Sequence, residues 1–393
     1  MKFTVNRKIM AEYLKTMIRV VPKSSTLQEL TGFLIEANEN DGYLYLTATN
    51  QEAAIQRKFK PEVETGGSFV MTAKLLLDIL TVLDGDDVLF EETQKGTVVI
   101  KSGTCTYTMK VLDDKKYPKP EIPFPSSLVY VSDMRKFYAK TYAATSKNGS
   151  TEVLKGIHFE ITKDKIRAMG CNMNSIALAT KQMNCGGELS FTLTKEMLSY
   201  LASAARDSEL EVGVCGNSVI FMKEGMLFSA KRLPQEYVNV DMVFDNLRTD
   251  YVAAVEFDEL KDCILNIFDI SSMGSEASYI KFDFADDKIE MSTKNDTGSG
   301  INTAKVIKIQ GDAGKSYYYR PQTLRDVFKT VEGRLVIRLD KNGYIVVMDQ
   351  CSQFLLMPVP ENIALKQFEK YEEKKIKKVK KTKTTADNQP AAA

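Results

Sequence analysis

The chain has no tryptophan, one histidine and six cysteines among 393 residues, and each scarcity closes off a class of chemistry. A lone histidine cannot build a multi-histidine metal centre. His158 also sits in the alternating run Gly156-Ile157-His158-Phe159-Glu160-Ile161, where a packed strand residue is expected rather than the base of a triad. Cys105, Cys171, Cys185, Cys215, Cys263 and Cys351 are scattered with no Cys-x-x-Cys pair, the usage of reduced structural thiols rather than of disulfides or zinc. No apolar run is long enough to span a bilayer and the opening residues Met1 to Lys8 hold no secretion-signal core, so a cytoplasmic protein with no membrane partner is expected.

Catalytic signals are equally thin. The pairs Asp86-Asp87, Asp113-Asp114 and Asp286-Asp287 adjoin Gly or Lys between strand patterns, where solvated turn carboxylates are the default. Gly311-Asp312-Ala313-Gly314-Lys315-Ser316 ends like a phosphate loop, but Ile309 stands where the first glycine is needed and Tyr317-Tyr318-Tyr319 follows instead of a helix. A hairpin turn is expected there. Neither a metal, a cofactor nor a catalytic group is expected, and the chain does not read as an enzyme.

What is present is ordinary globular composition, 44% hydrophobic and 27% charged, with a net charge of +1. The charge is unevenly spread. Residues 362–393 hold nine lysines against Glu369, Glu372, Glu373 and Asp387, a net +5, which leaves residues 1–361 at −4. A mildly acidic body that met a polyanion would have to gather its basic residues on one surface.

Two kinds of segment alternate along the chain, and each recurs three times. The first is an amphipathic helix pattern followed by strands, at Asn6 to Val20, Asp133 to Thr145 and Phe257 to Asp269. The second is a short strand, a helix pattern and further strands, with helices at Ala73 to Leu83, Lys195 to Ala205 and Pro321 to Val331. Apolar residues fall at three- and four-residue spacing in the helices (Ile9, Tyr13, Met17) and alternate in the strands, so one helical face should pack on a sheet. The expectation is an α+β chain of three domains, 1–121, 122–249 and 250–361, each built of two helix-plus-sheet halves, followed by a Lys-rich disordered tail at 362–393.

Within this repeat, four strings resemble the bacterial DNA polymerase III beta subunit family of sliding clamps: Thr47-Ala48-Thr49-Asn50-Gln51-Glu52 at a strand end, Ala73-Lys74-Leu75-Leu76-Leu77-Asp78-Ile79-Leu80 in a helix, Arg320 to Val327, and the closing Leu355-Leu356-Met357-Pro358-Val359. The resemblance covers about residues 1–359. It implies the DNA clamp fold, closing as a head-to-tail homodimeric ring with helices inside and sheets outside. It also implies a processivity factor that encircles duplex DNA without reading its sequence and docks peptides of the replicative polymerase, the clamp loader and other partners.

Sliding requires weak phosphate contacts from basic helix faces. Lys8, Lys15 and Arg19 share a face by spacing, as do Lys136 with Lys140 and Arg325 with Lys329; for any one such pair a solvated helix face is the better explanation, and it is their recurrence over several helices that points to a basic surface. The resemblance assigns Lys74 and Lys195 to basic channel positions and Lys23, Lys147 and Asn148 to loops that touch DNA. It places a peptide pocket at Leu154, Cys171, Met173, Asn174, Ser175, Ile176, Leu355, Met357, Pro358 and Val359, although the string Cys171 to Ile176 lacks the family's Gly, His and Arg. Read without the resemblance, those apolar residues would be core. The ring contact falls to Tyr107 and Met109 on one side and to Ile267, Phe268 and Ile270 on the other, where interior packing is the competing reading. Two further readings stay open: a clamp-fold scaffold or decoy that has lost DNA encirclement, and a small-molecule enzyme.

Overall fold

The computed structural model describes residues 1–94, 96–146, 151–274, 278–312, 314 and 316–367. Seven helices carry labels here: α1 (Arg7–Met17), α2 (Ala73–Val82), α3 (Met134–Thr141), α4 (Lys195–Ala205), α5 (Val240–Asp245), α6 (Phe257–Ser272) and α7 (Pro321–Phe328). The order strand, helix, three strands, strand, helix, three strands runs through the chain three times, with a short extra strand, Glu62–Thr65, in the first pass and α5 between the second and third. The periodicity of the sequence therefore locates the six repeated helices. It does not locate α5. The chain packs as two units, residues 1–138 with 156–166 and 182–236, and residues 139–155 with 167–181 and the described residues from 237 on.

The first unit holds two antiparallel sheets. Five strands run in the order Glu62–Thr65, Lys2–Asn6, Asp87–Gln94, Thr97–Ser102, Cys105–Lys110, which leaves Cys105–Lys110 on an edge. Eight run in the order Val129–Val131, Leu210–Cys215, Ser218–Lys223, Met226–Lys231, Ala53–Phe59, Tyr43–Thr49, Gly32–Asn38, Gly67–Thr72. At the centre of that sheet Met226 pairs with Arg57 and Ala230 with Ala53. Helix α1 starts where Asn6 caps it, its side chain accepting from the Ile9 amide at 3.2 Å, and buries Met10, Leu14 and Met17 at the spacing of one face. Phe137, Phe159, Phe191, Phe221 and Phe228 form a continuous aromatic chain with centroids 5.2 to 6.1 Å apart. His158 is a strand residue as expected, its Nδ1 2.8 Å from Thr192 Oγ1.

In the second unit nine strands follow one another in the order Ser175–Gln182, Ser352–Leu356, Ile345–Met348, Leu335–Asp340, Thr249–Val255, Ser299–Gly311, Lys288–Lys294, Ile280–Phe284, Tyr317–Tyr319. Alternate residues feed two cores. Ala177, Ile345, Val347, Phe354 and Leu356 join the core that includes Leu260, Ile264 and Ile267 of α6 and Leu324, Val327 and Phe328 of α7. Ile176, Leu178, Val346 and Leu355, pointing the other way, join Val240 of α5 in a second cluster. Strands apolar on both faces need a cover on both.

The expected tail begins inside the packed structure. Residues 361–367 are helical, Ala364 is buried with Tyr318 and Val359, and Gln367 Oε1 accepts from the Tyr279 amide at 3.1 Å. Residues 368–393, the bulk of that tail, lie outside the described residues, as do Ala313 and Lys315 of the phosphate-loop-like string.

Lys140 departs from its expected place on a solvated basic face. It is 7% exposed, and its Nζ lies 2.9 Å from Asp349 Oδ2 and donates to the Thr330 carbonyl. It falls on the buried side of α3 because the turn at Asp349, whose other carboxylate oxygen accepts from the Cys351 and Ser352 amides, presents a carboxylate there. Burial opposes ionisation of Asp349, but Ser352 and Lys140 outweigh it and hold the carboxyl below its ordinary value. Removing one partner strands the other. Lys140→Ala should therefore lower the unfolding free energy at pH 7 by about 3 kcal/mol, measured by urea titration. Because the folded-state value is depressed, the stabilisation is complete above about pH 4, the ordinary carboxyl value, and is lost as pH falls through the folded value; Asp349→Asn should flatten that part of the acid limb.

Candidate nucleic-acid and peptide-binding surfaces

A groove of about 1000 Å³ opens in the first unit between the end of α1, the start of α2 and the first turns of α4. After Met17 the chain turns tightly, with the Val20 amide bonded to the Met17 carbonyl at 3.0 Å and that of Val21 to Ile18 at 3.2 Å. Val20 is thereby buried while Arg19 and Lys23 stay exposed. At α2 the same division puts Ala73 and Leu76 in the core and Lys74 outside. Arg19, Lys23 and Lys74 line the groove together with Ile18, Val21, Pro22, Glu196 and Tyr200. None of those three cations is ion-paired to a described residue, whereas Lys8, further back on α1, is 3.0 Å from Asp86. Lys195 is half-buried at the first position of α4. Tyr200 was not singled out from the sequence; the trace was the Glu196/Tyr200 spacing of one helical turn, which the structure closes with a bond from Tyr200 Oη to Glu196 Oε1. A lining that combines apolar side chains with three cations suits a polyanion that also carries flat apolar groups.

The remaining basic candidates divide. Lys147 and Asn148 lie outside the described residues. Lys329 is exposed where α7 ends. Arg325, in contrast, lays its guanidinium over the Phe268 ring at 4.5 Å with Nε 3.6 Å from Asp326, so it packs α7 on α6 rather than standing in solvent.

In the second unit, the pocket candidates Leu154, Cys171, Ile176, Leu355 and Met357 gather in the second apolar cluster. Ile176 and Leu355 are 1% and 0% exposed and form its floor, while Leu154 and Met357 are half-buried at its margin. Asn172 Oδ1 accepts from the Asn174 and Ser175 amides at 2.7 and 2.9 Å, and the Asn174 carbonyl accepts from Met357 at 2.9 Å, tying the two strand ends together. Pro358 is half-buried. Met173 projects at the tip, 81% exposed. Val359 belongs elsewhere: its amide donates to the Tyr318 carbonyl at 2.7 Å and its side chain packs with Tyr318 and Ala364. Burial pushes the Cys171 thiol up to about 11, so it stays protonated and unreactive at neutral pH.

Much of this cluster was missed in the sequence. Tyr237, Val240, Val243, Phe244 and Leu247 cover it from α5 and its flanks, and Tyr344, Val346 and Met348 complete it. The signal was Asn239, which caps α5 by accepting from the Met242 amide at 3.0 Å, followed by apolar residues three and four apart. Arg167 holds α5 in place through both oxygens of Asp241.

The interface candidates also divide. Tyr107 and Met109 are half-buried on the edge strand Cys105–Lys110, alternating with exposed Thr106, Thr108 and Lys110. Ile267 must be corrected: it is 0% exposed, in register with Leu260 and Ile264 on the inward stripe of α6, and has no surface to offer. Phe268 is taken up by Arg325, and Ile270 is half-buried beside Gly300. No helix among the described residues is long and apolar enough to cross a membrane, and no group of three His, Cys, Asp or Glu among them is placed to hold a metal.

Residues 1–122 match the family model of the DNA polymerase III beta subunit, N-terminal domain. The beta sliding clamp of Staphylococcus aureus is 22% identical over 318 residues, 78% of this chain and 82% of that protein. The beta sliding clamp of Staphylococcus epidermidis is 23% identical over 257 residues, 62% of this chain and 68% of its own length. Among solved structures, the DNA polymerase III beta subunit of Thermotoga maritima superposes with a TM-score of 0.82 at 19% identity, over 91% of this chain and 99% of that one. The DNA polymerase sliding clamp of Bacillus subtilis does so with a TM-score of 0.82 at 17% identity and the same coverage. The fold is thus the DNA clamp fold.

If Arg325 is a packing residue and Lys329 a solvated one, alanine substitution should separate them. Arg325→Ala should lower the unfolding free energy by about 1 kcal/mol, and Lys329→Ala should stay within about 0.5 kcal/mol of the parent, both read from chemical denaturation.

Proposed function

We propose that this chain, a divergent member of the DNA polymerase III beta subunit family, is a DNA sliding clamp: it closes with a second copy around duplex DNA and holds the replicative polymerase to its template. What carries the reading is a sheet junction that occurs twice and is left open a third time. With clamp domains at 1–121, 122–249 and 250–361, the last strand of the second, Met226–Lys231, pairs with the fourth strand of the first, Ala53–Phe59. The last strand of the third, Ser352–Leu356, pairs in the same sense with Ser175–Gln182 of the second.

By the same rule the last strand of the first domain, Cys105–Lys110, belongs on Ser299–Gly311 of the third. Both have an edge to give. Cys105–Lys110 pairs only with Thr97–Ser102 among the described strands. Ser299–Gly311 pairs with Thr249–Val255 only from Val306 onward, so residues 299–305 have a neighbour, Lys288–Lys294, on one side alone. A second copy supplies the missing pairing, and two such junctions close a ring. Ile301, 67% exposed on that edge, replaces Ile267 as the apolar residue facing Tyr107 and Met109.

Non-catalytic duty is consistent with this reading: a closed ring retains DNA by topology and needs from its inner face only phosphate contacts such as Arg19, Lys23, Lys74, Lys195 and Lys329 offer. The apolar cluster around Leu154, Cys171 and Met357 is the docking place for short peptides of the polymerase, the clamp loader and other partners. Its altered Cys171–Ile176 turn gives it a peptide preference of its own. The protein works in the cytoplasm, and its lysine-rich end adds salt-dependent affinity for the same DNA.

The decisive experiment loads the protein with a clamp loader onto nicked circular DNA and passes it over a sizing column in high salt. Co-elution with the circle, lost on linearisation, is expected; equal loss from both would leave a clamp-fold scaffold. Ile301→Lys, an exposed position in the single chain, should convert a dimeric sedimentation mass to a monomeric one with an unchanged far-ultraviolet circular dichroism spectrum.

A further inference from the structure

We infer that the groove of the first unit is a binding site for an unpaired stretch of nucleic acid, with a base stacked against Tyr200 and the backbone on Arg19, Lys23 and Lys74. The inference rests on the clamp reading for its biological setting and deepens it. Sliding on a duplex asks for exposed cations and nothing else, because phosphates present a smooth, charged surface. Two features of the groove are superfluous to that task. It is concave, about 1000 Å³ in volume, and its lining is largely apolar, with Ile18, Val21, Pro22 and Ala73 beside the cations. It also contains an aromatic side chain whose hydroxyl is anchored to Glu196 one helical turn away, which limits the positions the ring can take.

Charge complementarity selects the occupant. Arg19, Lys23 and Lys74 make no ion pair with any described residue, and the one carboxylate in the groove, Glu196, is engaged by Tyr200. A polyanion with exposed flat apolar faces matches both halves of this surface, and single-stranded nucleic acid has that character, whereas a duplex hides its bases. A partner peptide would need acidic and aromatic residues together to match it.

The test measures binding of a fluorescent ten-nucleotide oligothymidylate and of a duplex of the same length by anisotropy at 50 mM salt, for the full chain and for Tyr200→Ala, Tyr200→Phe and Lys74→Glu. Stacking on one aromatic is worth about 1–3 kcal/mol, so Tyr200→Ala should weaken the single strand roughly tenfold relative to the duplex, with Tyr200→Phe restoring the ratio. Lys74→Glu should weaken both. A single-strand to duplex ratio unmoved by Tyr200→Ala would overturn the inference, as would tighter binding of an acidic aromatic peptide than of the oligonucleotide. Circular dichroism melting of each variant identifies any that fails to fold, and Ser199→Leu, which crowds the same groove from α4 without adding a ring, then takes its place with the same expected loss. Retention on circular DNA with an unmoved ratio sinks this inference alone, while a normal ratio shift without retention sinks the clamp reading and leaves the groove.

Discussion

An antiparallel sheet must end somewhere, and an exposed edge is a row of unpaired amides and carbonyls that invites another strand. Each repeat of this chain leaves one such edge at its last strand and another at its fourth. Four of these six edges are satisfied within the chain, by the pairing of Met226–Lys231 with Ala53–Phe59 and of Ser175–Gln182 with Ser352–Leu356. Other features follow from that requirement. Strands that continue a sheet across a junction must be apolar where they are covered, and their helices must take one face and leave the other to solvent. The repeat length then fixes where the basic positions recur.

The junction in the second unit shows what such continuity costs. Strands at its centre alternate between two cores, and Ile176, Val346 and Leu355 are apolar side chains on the face away from α6 and α7. Left open, that face would be an exposed apolar patch. Helix α5 supplies part of the cover with Val240, Val243 and Phe244, and Arg167 with Asp241 pins it. The cover is incomplete, since Leu154 and Met357 remain half-buried at the margin. An apolar floor with a partly open rim is what a short peptide with one or two apolar anchors can use. The same patterning that makes the sheet continuous therefore makes the apolar floor of the proposed docking site.

The repeated helices were legible because their signal is periodic and local: α2, α4 and α7 begin at the residues where the pattern places them, and α1 and α3 one residue later. That Tyr107 and Met109 alternate on one strand was legible in the same way, while its place at an edge was implied by the resemblance alone. Helix α5 is six residues long, too short for a period to declare itself, and was visible only through its Asn239 cap. Spacing also misled where the partner lies far away in sequence. Lys136 and Lys140 share a helix face by count, yet Asp349, 209 residues on, draws Lys140 inward. Ile267 was placed by likeness to other sequences and Arg325 by its one-turn spacing from Lys329, and tertiary neighbours decided differently, the α6 core stripe for one and the Phe268 ring for the other.

These reassignments sharpen the electrostatic argument. The body of the chain carries a net −4 once the lysine-rich end is set aside, so a polyanion is attracted by local arrangement or not at all. Lys140, Arg325 and Lys8 are each engaged by a carboxylate or a ring, which reduces the cations available for phosphates to a smaller set. Arg19, Lys23 and Lys74 stand out because they share one groove and pair with no described residue. Weak attraction from few charges would be a defect in a protein that must hold DNA by affinity. In a closed ring it is a requirement, because topology supplies the retention and each additional fixed contact would slow sliding.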